Sequence, residues 1–177
     1  RFSALEITMK GVEAKACGVA CYFPFVYAYY VEGSVNWGMM GKERSPMRSM
    51  AAYVNSVSQL QGMQYAGDLA NVTSDIMRAR VFADPKGDNA VVVLYTGKTE
   101  KVQIPAFNFK VREMAGIDGR AVAPENGRVS IDGGMLYVRC KLSDLRGRLT
   151  TSTTAMKLTQ IARGHVPHPR KAKAVVL

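Results

Sequence analysis

Histidine is almost missing from this chain and cysteine is sparse, which removes most metal chemistry at the outset. The two histidines, His165 and His168, both sit in the run GHVPHP, and the three cysteines are Cys17, Cys21 and Cys140. Three dispersed cysteines and two histidines do not make up a structural zinc site, and two imidazoles without a third ligand read as a proline-rich loop. Dispersed thiols of odd number read as small buried side chains. No Ser/His/Asp order is recognisable. Neither GIDG nor PENG has the GxxxxGK[ST] spacing of a phosphate cradle, so these are turns, and no metal or cofactor is expected.

Long apolar runs are also lacking. The longest, around Val19 to Val31, is broken by Pro24 and carries four tyrosines, too short and too polar-tipped for a membrane span. No secretory signal opens the chain. Arg1 is not a natural start residue, so the sequence reads as processed, trimmed or a fragment, with a secreted or periplasmic location left open.

Acidic residues stop at Asp144. The formal charge is +10, and seven basic residues lie beyond that point, leaving the first 144 residues close to balance. The basicity therefore belongs to a tail, 145–177, expected to be a solvated linker or the start of a further segment. A basic tail can bind phosphate backbones, but this one has no aromatic residue for stacking on single strands, and no nucleic-acid motif accompanies it. Nucleic acid is not the expected partner.

What the chain does have is a concentration of rings. Seven of its fifteen aromatic residues fall between Tyr22 and Trp37. Flat rings at the end of a strand suit a flat, polar-edged ligand such as a sugar: the rings cover apolar CH groups and the tyrosine hydroxyls bond to sugar hydroxyls. Packing of the same rings in a core is the competing reading.

The rest divides by texture. Ser3 to Glu6 has capping-box spacing, Leu5, Met9, Val12 and Ala16 form a helical stripe, and Gly18 suits the helix stop. Val19–Phe25 reads as a strand buried on both faces. Ser45 as N-cap and Pro46 at the first helical position predict a second helix that Gly62 ends. After a boundary near 62–74, seven short strand-like runs follow: 76–83, 90–96, 101–104, 109–115, 120–122, 128–131 and 135–139. Turn chemistry in DPKGDN, TGKTE, AGIDG, APENG and DGG separates them and indicates an antiparallel sandwich or barrel. The expected class is α+β, with a terminal α/β unit over 1–62, a β-sandwich over 63–144 and the basic segment over 145–177.

This order resembles the C-terminal end of retaining glycoside hydrolases of the (β/α)8-barrel clan. The stretches that carry the resemblance are GVACYFPF, WGMMG followed by SPMRSMAAY, and the sandwich runs IMRARVF, NAVVVLYT, VREMAG and GMLYV. The resemblance implies a last barrel strand and helix followed by a small antiparallel sandwich. It also implies that both working carboxylates lie upstream of Arg1, so no residue here is expected to be catalytic; Glu32, in the aromatic loop, is not assigned that role. The barrel's active face is at strand C-termini, where Tyr27, Tyr29, Tyr30, Asn36 and Trp37 would meet the carbohydrate substrate, with Trp37 foremost. The chain would then complete one wall of a sugar site and buttress the barrel, its partner being the remainder of the barrel, upstream or on another chain. The alternative is a free-standing β-sandwich that binds carbohydrate or another protein.

Overall fold

A computed structural model describes residues 2–24 and 28–150. The predicted basic segment, apart from its first six residues, lies outside these, as do Phe25, Val26 and Tyr27.

The fold is α+β, with two helices and mostly antiparallel sheet. Helix α1 spans Phe2–Ala16. Ser3 therefore lies within the first turn rather than before it, and Glu6 accepts a hydrogen bond from Lys10 at 3.1 Å, one turn on. Gly18 has φ +75° and lets the chain leave the helix. A two-stranded hairpin follows, β1 (Val31–Glu32) and β2 (Val35–Asn36). Helix α2 spans Arg48–Leu60; its N-cap is Met47, two residues later than predicted, because Pro46 is taken up in a bridge to Met40. Gly62, at φ +74°, ends it as expected.

The predicted strand at Val19–Phe25 is not found: residues 19–24 have no regular structure. No described strand runs alongside them, and a strand cannot leave its ladder groups unpaired. Instead, the Tyr22 ring lies against Gly11 of α1, where even an added Cβ would stand 3.3 Å from it.

Strands β3 (Gln64–Leu69), β4 (Arg78–Ala83), β5 (Asn89–Tyr95), β7 (Val111–Gly116), β9 (Met135–Lys141) and β10 (Leu149–Thr150) form a six-stranded sheet in the order β10-β3-β4-β5-β9-β7. The two remaining strands, β6 (Val102–Pro105) and β8 (Arg128–Ile131), pair antiparallel as a small second sheet. Six of the seven predicted runs are close to their positions. The run at 120–122 is reduced to a single bridge between Ala121 and Ala115. Strand β3 falls in the stretch expected to be a boundary, because Gly67 and Asp68 break the pattern that marks a strand.

The sheet is covered on both faces. Side chains alternate along a strand, so Ala90, Val92 and Leu94 of β5 join Leu136, Val138 and Ile131 in a core beneath the small sheet. Val91, Val93 and Tyr95 face the other way and pack with Phe82, Tyr137 and the helical residues Leu5, Val12, Ala52 and Leu60. This explains the unbroken apolar run AVVVLY, since a strand buried on both sides needs no polar alternation. The helices thus share one core with the sheet rather than standing apart from it. At the turn before β9, Gly134 has φ +84°, and a Cβ there would strike the Lys98 carbonyl and stand 2.8 Å from Leu5. Only glycine fits.

Candidate functional site: an exposed aromatic hairpin

Between the two helices the chain leaves the core and returns, and Tyr29, Tyr30 and Trp37 stay outside. Tyr29 is 43% exposed, Tyr30 45% and Trp37 53%. The hairpin places them. Val31 pairs with Asn36 and Glu32 with Val35 across a turn at Gly33, which has φ +62°. The Trp37 N–H donates to the Tyr30 carbonyl at 2.8 Å, so these two residues stand side by side at the base of the hairpin.

Asn36 holds the base together. Its side-chain oxygen accepts from the Gly38 N–H at 2.9 Å and from the Tyr30 N–H at 3.3 Å, and its Nδ2 donates to the Met40 carbonyl at 2.8 Å. The amide's bonding capacity is therefore largely used within the loop, and what Asn36 does here is fix the rings' backbone. Gly38 closes tightly on Ala28, where an added Cβ would collide with the carbonyl. Met39, 1% exposed, anchors the loop in the protein, and the Met47 N–H donates to its carbonyl at 3.0 Å on the way into α2.

Of the five residues read from the sequence as sugar contacts, the structure brings Tyr30, Asn36 and Trp37 together and leaves Tyr29 exposed beside them. Tyr27 lies outside the described residues. Sequence reasoning passed over Phe23, which is 82% exposed and the most open large apolar side chain of the described part. Its signal is its place between Tyr22 and Pro24, within the run that the sequence pattern marks as a strand. Glu32 is exposed on β1. Among the described residues no group of three or more His, Cys, Asp or Glu is placed to hold a metal ion.

The ground between the helices is mostly apolar and open. A groove of about 230 Å³ runs between α1 and α2, floored by Ile7, Gly11, Tyr22, Tyr53 and Leu60. Burial raises the Tyr22 hydroxyl above its ordinary pKa, with Lys10 opposing, so the ring sits partly out of water. On α2, Val54 (52%) and Val57 (49%) face outward.

Beneath the helices lies a charged cluster that ties them to the sheet. Arg80 of β4 is 1% exposed. It forms a fork with Glu13 of α1, Nε to Oε1 at 2.9 Å and Nη2 to Oε2 at 2.6 Å, and its Nη1 reaches both oxygens of Asp68 at 2.9 and 2.8 Å. The Tyr65 hydroxyl donates to Asp68 at 2.9 Å, and the Tyr95 hydroxyl donates to Glu13. Burial alone would weaken the guanidinium's charge, but the two carboxylates outweigh it and hold its pKa above the ordinary value. A buried ionic cluster this complete satisfies each of its members and positions α1 on the sheet.

No protein-family model matches the chain, and no curated protein matches it. Among solved structures it is similar to a family 39 glycoside hydrolase from the gut symbiont Bacteroides cellulosilyticus WH2, with a TM-score of 0.44 and 17% identity. The similarity covers 58% of this chain and 22% of that one.

Proposed function

We propose that this chain is the closing part of a (β/α)8-barrel glycoside hydrolase: it supplies an aromatic wall to the sugar site and buttresses the barrel, without catalysing by itself. The observation that carries this reading is the hairpin. Tyr29, Tyr30 and Trp37 are held on a hydrogen-bonded frame yet stand in water, where rings serving only a core would be covered. Sugar CH faces stack on such rings, and tyrosine hydroxyls bond the equatorial oxygens. The open apolar groove between α1 and α2, with Val54 and Val57 beside it, supports a partner seated there, the remainder of the barrel. The two carboxylates of retaining hydrolysis would come from that partner.

A single tryptophan makes the test direct, since all indole emission comes from Trp37. The chain is co-expressed with the polypeptide encoded upstream of Arg1 and assayed on an oligosaccharide panel. Expected are hydrolysis that requires both parts, a saturable change of Trp37 emission on substrate binding, and a three- to tenfold loss of kcat/KM, about 0.5–1.5 kcal/mol, in Trp37→Ala. Unchanged emission with full activity in Trp37→Ala would refute the sugar-wall reading.

One observation favours the second reading, a free-standing module that binds carbohydrate or another protein. The helices and sheet already share a closed core that includes Leu5, Val12, Phe82 and Tyr137. For that reading, sugar or protein binding by the chain alone is the expected result.

A further inference from the structure

On the face of the six-stranded sheet away from the helices, the mouth of the sandwich opens into a cavity of about 410 Å³. That is within the range of small-molecule sites. Its floor is hydrocarbon: Ile76, Leu94 and Ile104 are 6%, 1% and 3% exposed. Phe107 and Phe109 form one wall, ring centroids 5.1 Å apart and tilted by 38°.

Asn71, Thr73, Asn108 and Arg148 are the polar residues that line the same space. Thr73 lines the cavity, and its Oγ1 is buried without a hydrogen-bond partner, a state that buried hydroxyls rarely keep. Arg148, at the rim, donates to the Asn108 side-chain oxygen, and its Nη2 reaches the Asn108 carbonyl at 3.4 Å. It pairs with no carboxylate among the described residues. All fourteen acidic side chains of the chain are among those residues. A guanidinium at the rim of an apolar cavity, unpaired with any described carboxylate, is complementary to an anion with a hydrocarbon body.

We propose that this cavity binds a small carboxylic acid with an aryl or medium-length alkyl body, the body lying on Ile76, Leu94 and the two phenylalanines and the carboxylate accepting from Arg148. The site is independent of the sugar-wall reading and sits on the opposite face of the sheet, so either can fail alone. A charge-assisted bond in such a setting outweighs a neutral one by enough to give roughly tenfold selectivity for acid over alcohol.

The test uses the full 177-residue chain, labelled for NMR and titrated with octanoate and 3-phenylpropionate, and with octanol and 3-phenylpropanol as neutral counterparts. Expected are saturable shifts of the Asn71, Thr73, Asn108 and Arg148 amides, with the acids binding roughly tenfold tighter than the alcohols. Arg148→Met should abolish that preference and Arg148→Lys keep part of it. Equal binding of acids and alcohols, shifts confined to the helical groove, or no saturation at millimolar acid would each overturn the proposal.

Discussion

Replacing Arg80 by methionine should strand two carboxylates where the fold now neutralises them. Arg80 makes five side-chain hydrogen bonds, two to Glu13, two to Asp68 and one to the Tyr65 hydroxyl at 3.4 Å. Removing one member of a buried ionic cluster costs about 3–5 kcal/mol. Glu13 and Asp68 keep 36% and 20% of their side-chain surface in water, so solvent relieves part of the exposed charge, and the low end, about 3 kcal/mol, is expected. For a domain of this size that lowers Tm by roughly 6–12 °C. Urea unfolding followed by far-UV circular dichroism measures it. Hydrogen exchange gives the location: amides of α1 should lose protection before those of β5, because Glu13 is the helix's polar tie to the sheet. A triple variant, Arg80→Met with Glu13→Leu and Asp68→Leu, removes all the charges together and should recover most of the loss, since hydrophobic replacement of a whole buried cluster is close to neutral. A single variant that costs less than about 1 kcal/mol, or a triple no better than the single, would refute the reasoning.

Other perturbations have equally definite outcomes. Gly134→Ala combines a positive φ of +84° with a clash against the Lys98 carbonyl, and a loss of about 2 kcal/mol or more is expected on thermal unfolding. Burial pushes the Cys140 thiol up to about 11, whereas Cys21 is exposed; at pH 8 a thiol reagent should label Cys21 quickly and Cys140 only after unfolding. The sign for stability follows: the Cys140 contribution is complete below the ordinary thiol pKa and lost as pH rises toward about 11. Asp88 accepts from the Ser143 hydroxyl at 2.6 Å and from its N–H at 2.8 Å, which lowers its pKa. Its contribution is present above the ordinary carboxylate pKa and lost as pH falls through the lowered value, and Ser143→Ala should raise the Asp88 midpoint in an NMR titration.

The legible parts of the chain were those governed by local chemistry. Turn residues marked the strand borders, and Gly62 marked the end of α2, because positive φ is a property of the residue itself. The aromatic concentration was visible, but its context was misread. Val19 to Pro24 has the composition of a buried strand and becomes an irregular segment whose Tyr22 ring lies against α1, because no strand among the described residues runs beside it to complete its ladder. Strand β3 was hidden for the opposite reason: Gly67 and Asp68 weaken its pattern, and it exists because β4 pairs along it and Arg80 claims Asp68.

The candidate site divides the same way. That rings gather between Tyr22 and Trp37 is written in the sequence. That Tyr29, Tyr30 and Trp37 face water, while Asn36 turns inward to bond Gly38, Tyr30 and Met40, depends on a hairpin whose register no local pattern announces. The cavity of Thr73, Phe107 and Arg148 draws on segments far apart in the chain, as does the cluster joining Glu13, Asp68 and Arg80. Residue chemistry and short spacings set the class of the fold, its turns and the chemical character of its loops, since those follow from single residues and their near neighbours. Tertiary structure alone decided which face of each strand meets helices, which rings remain in water and which charges are buried together, because burial is a property of the assembled fold.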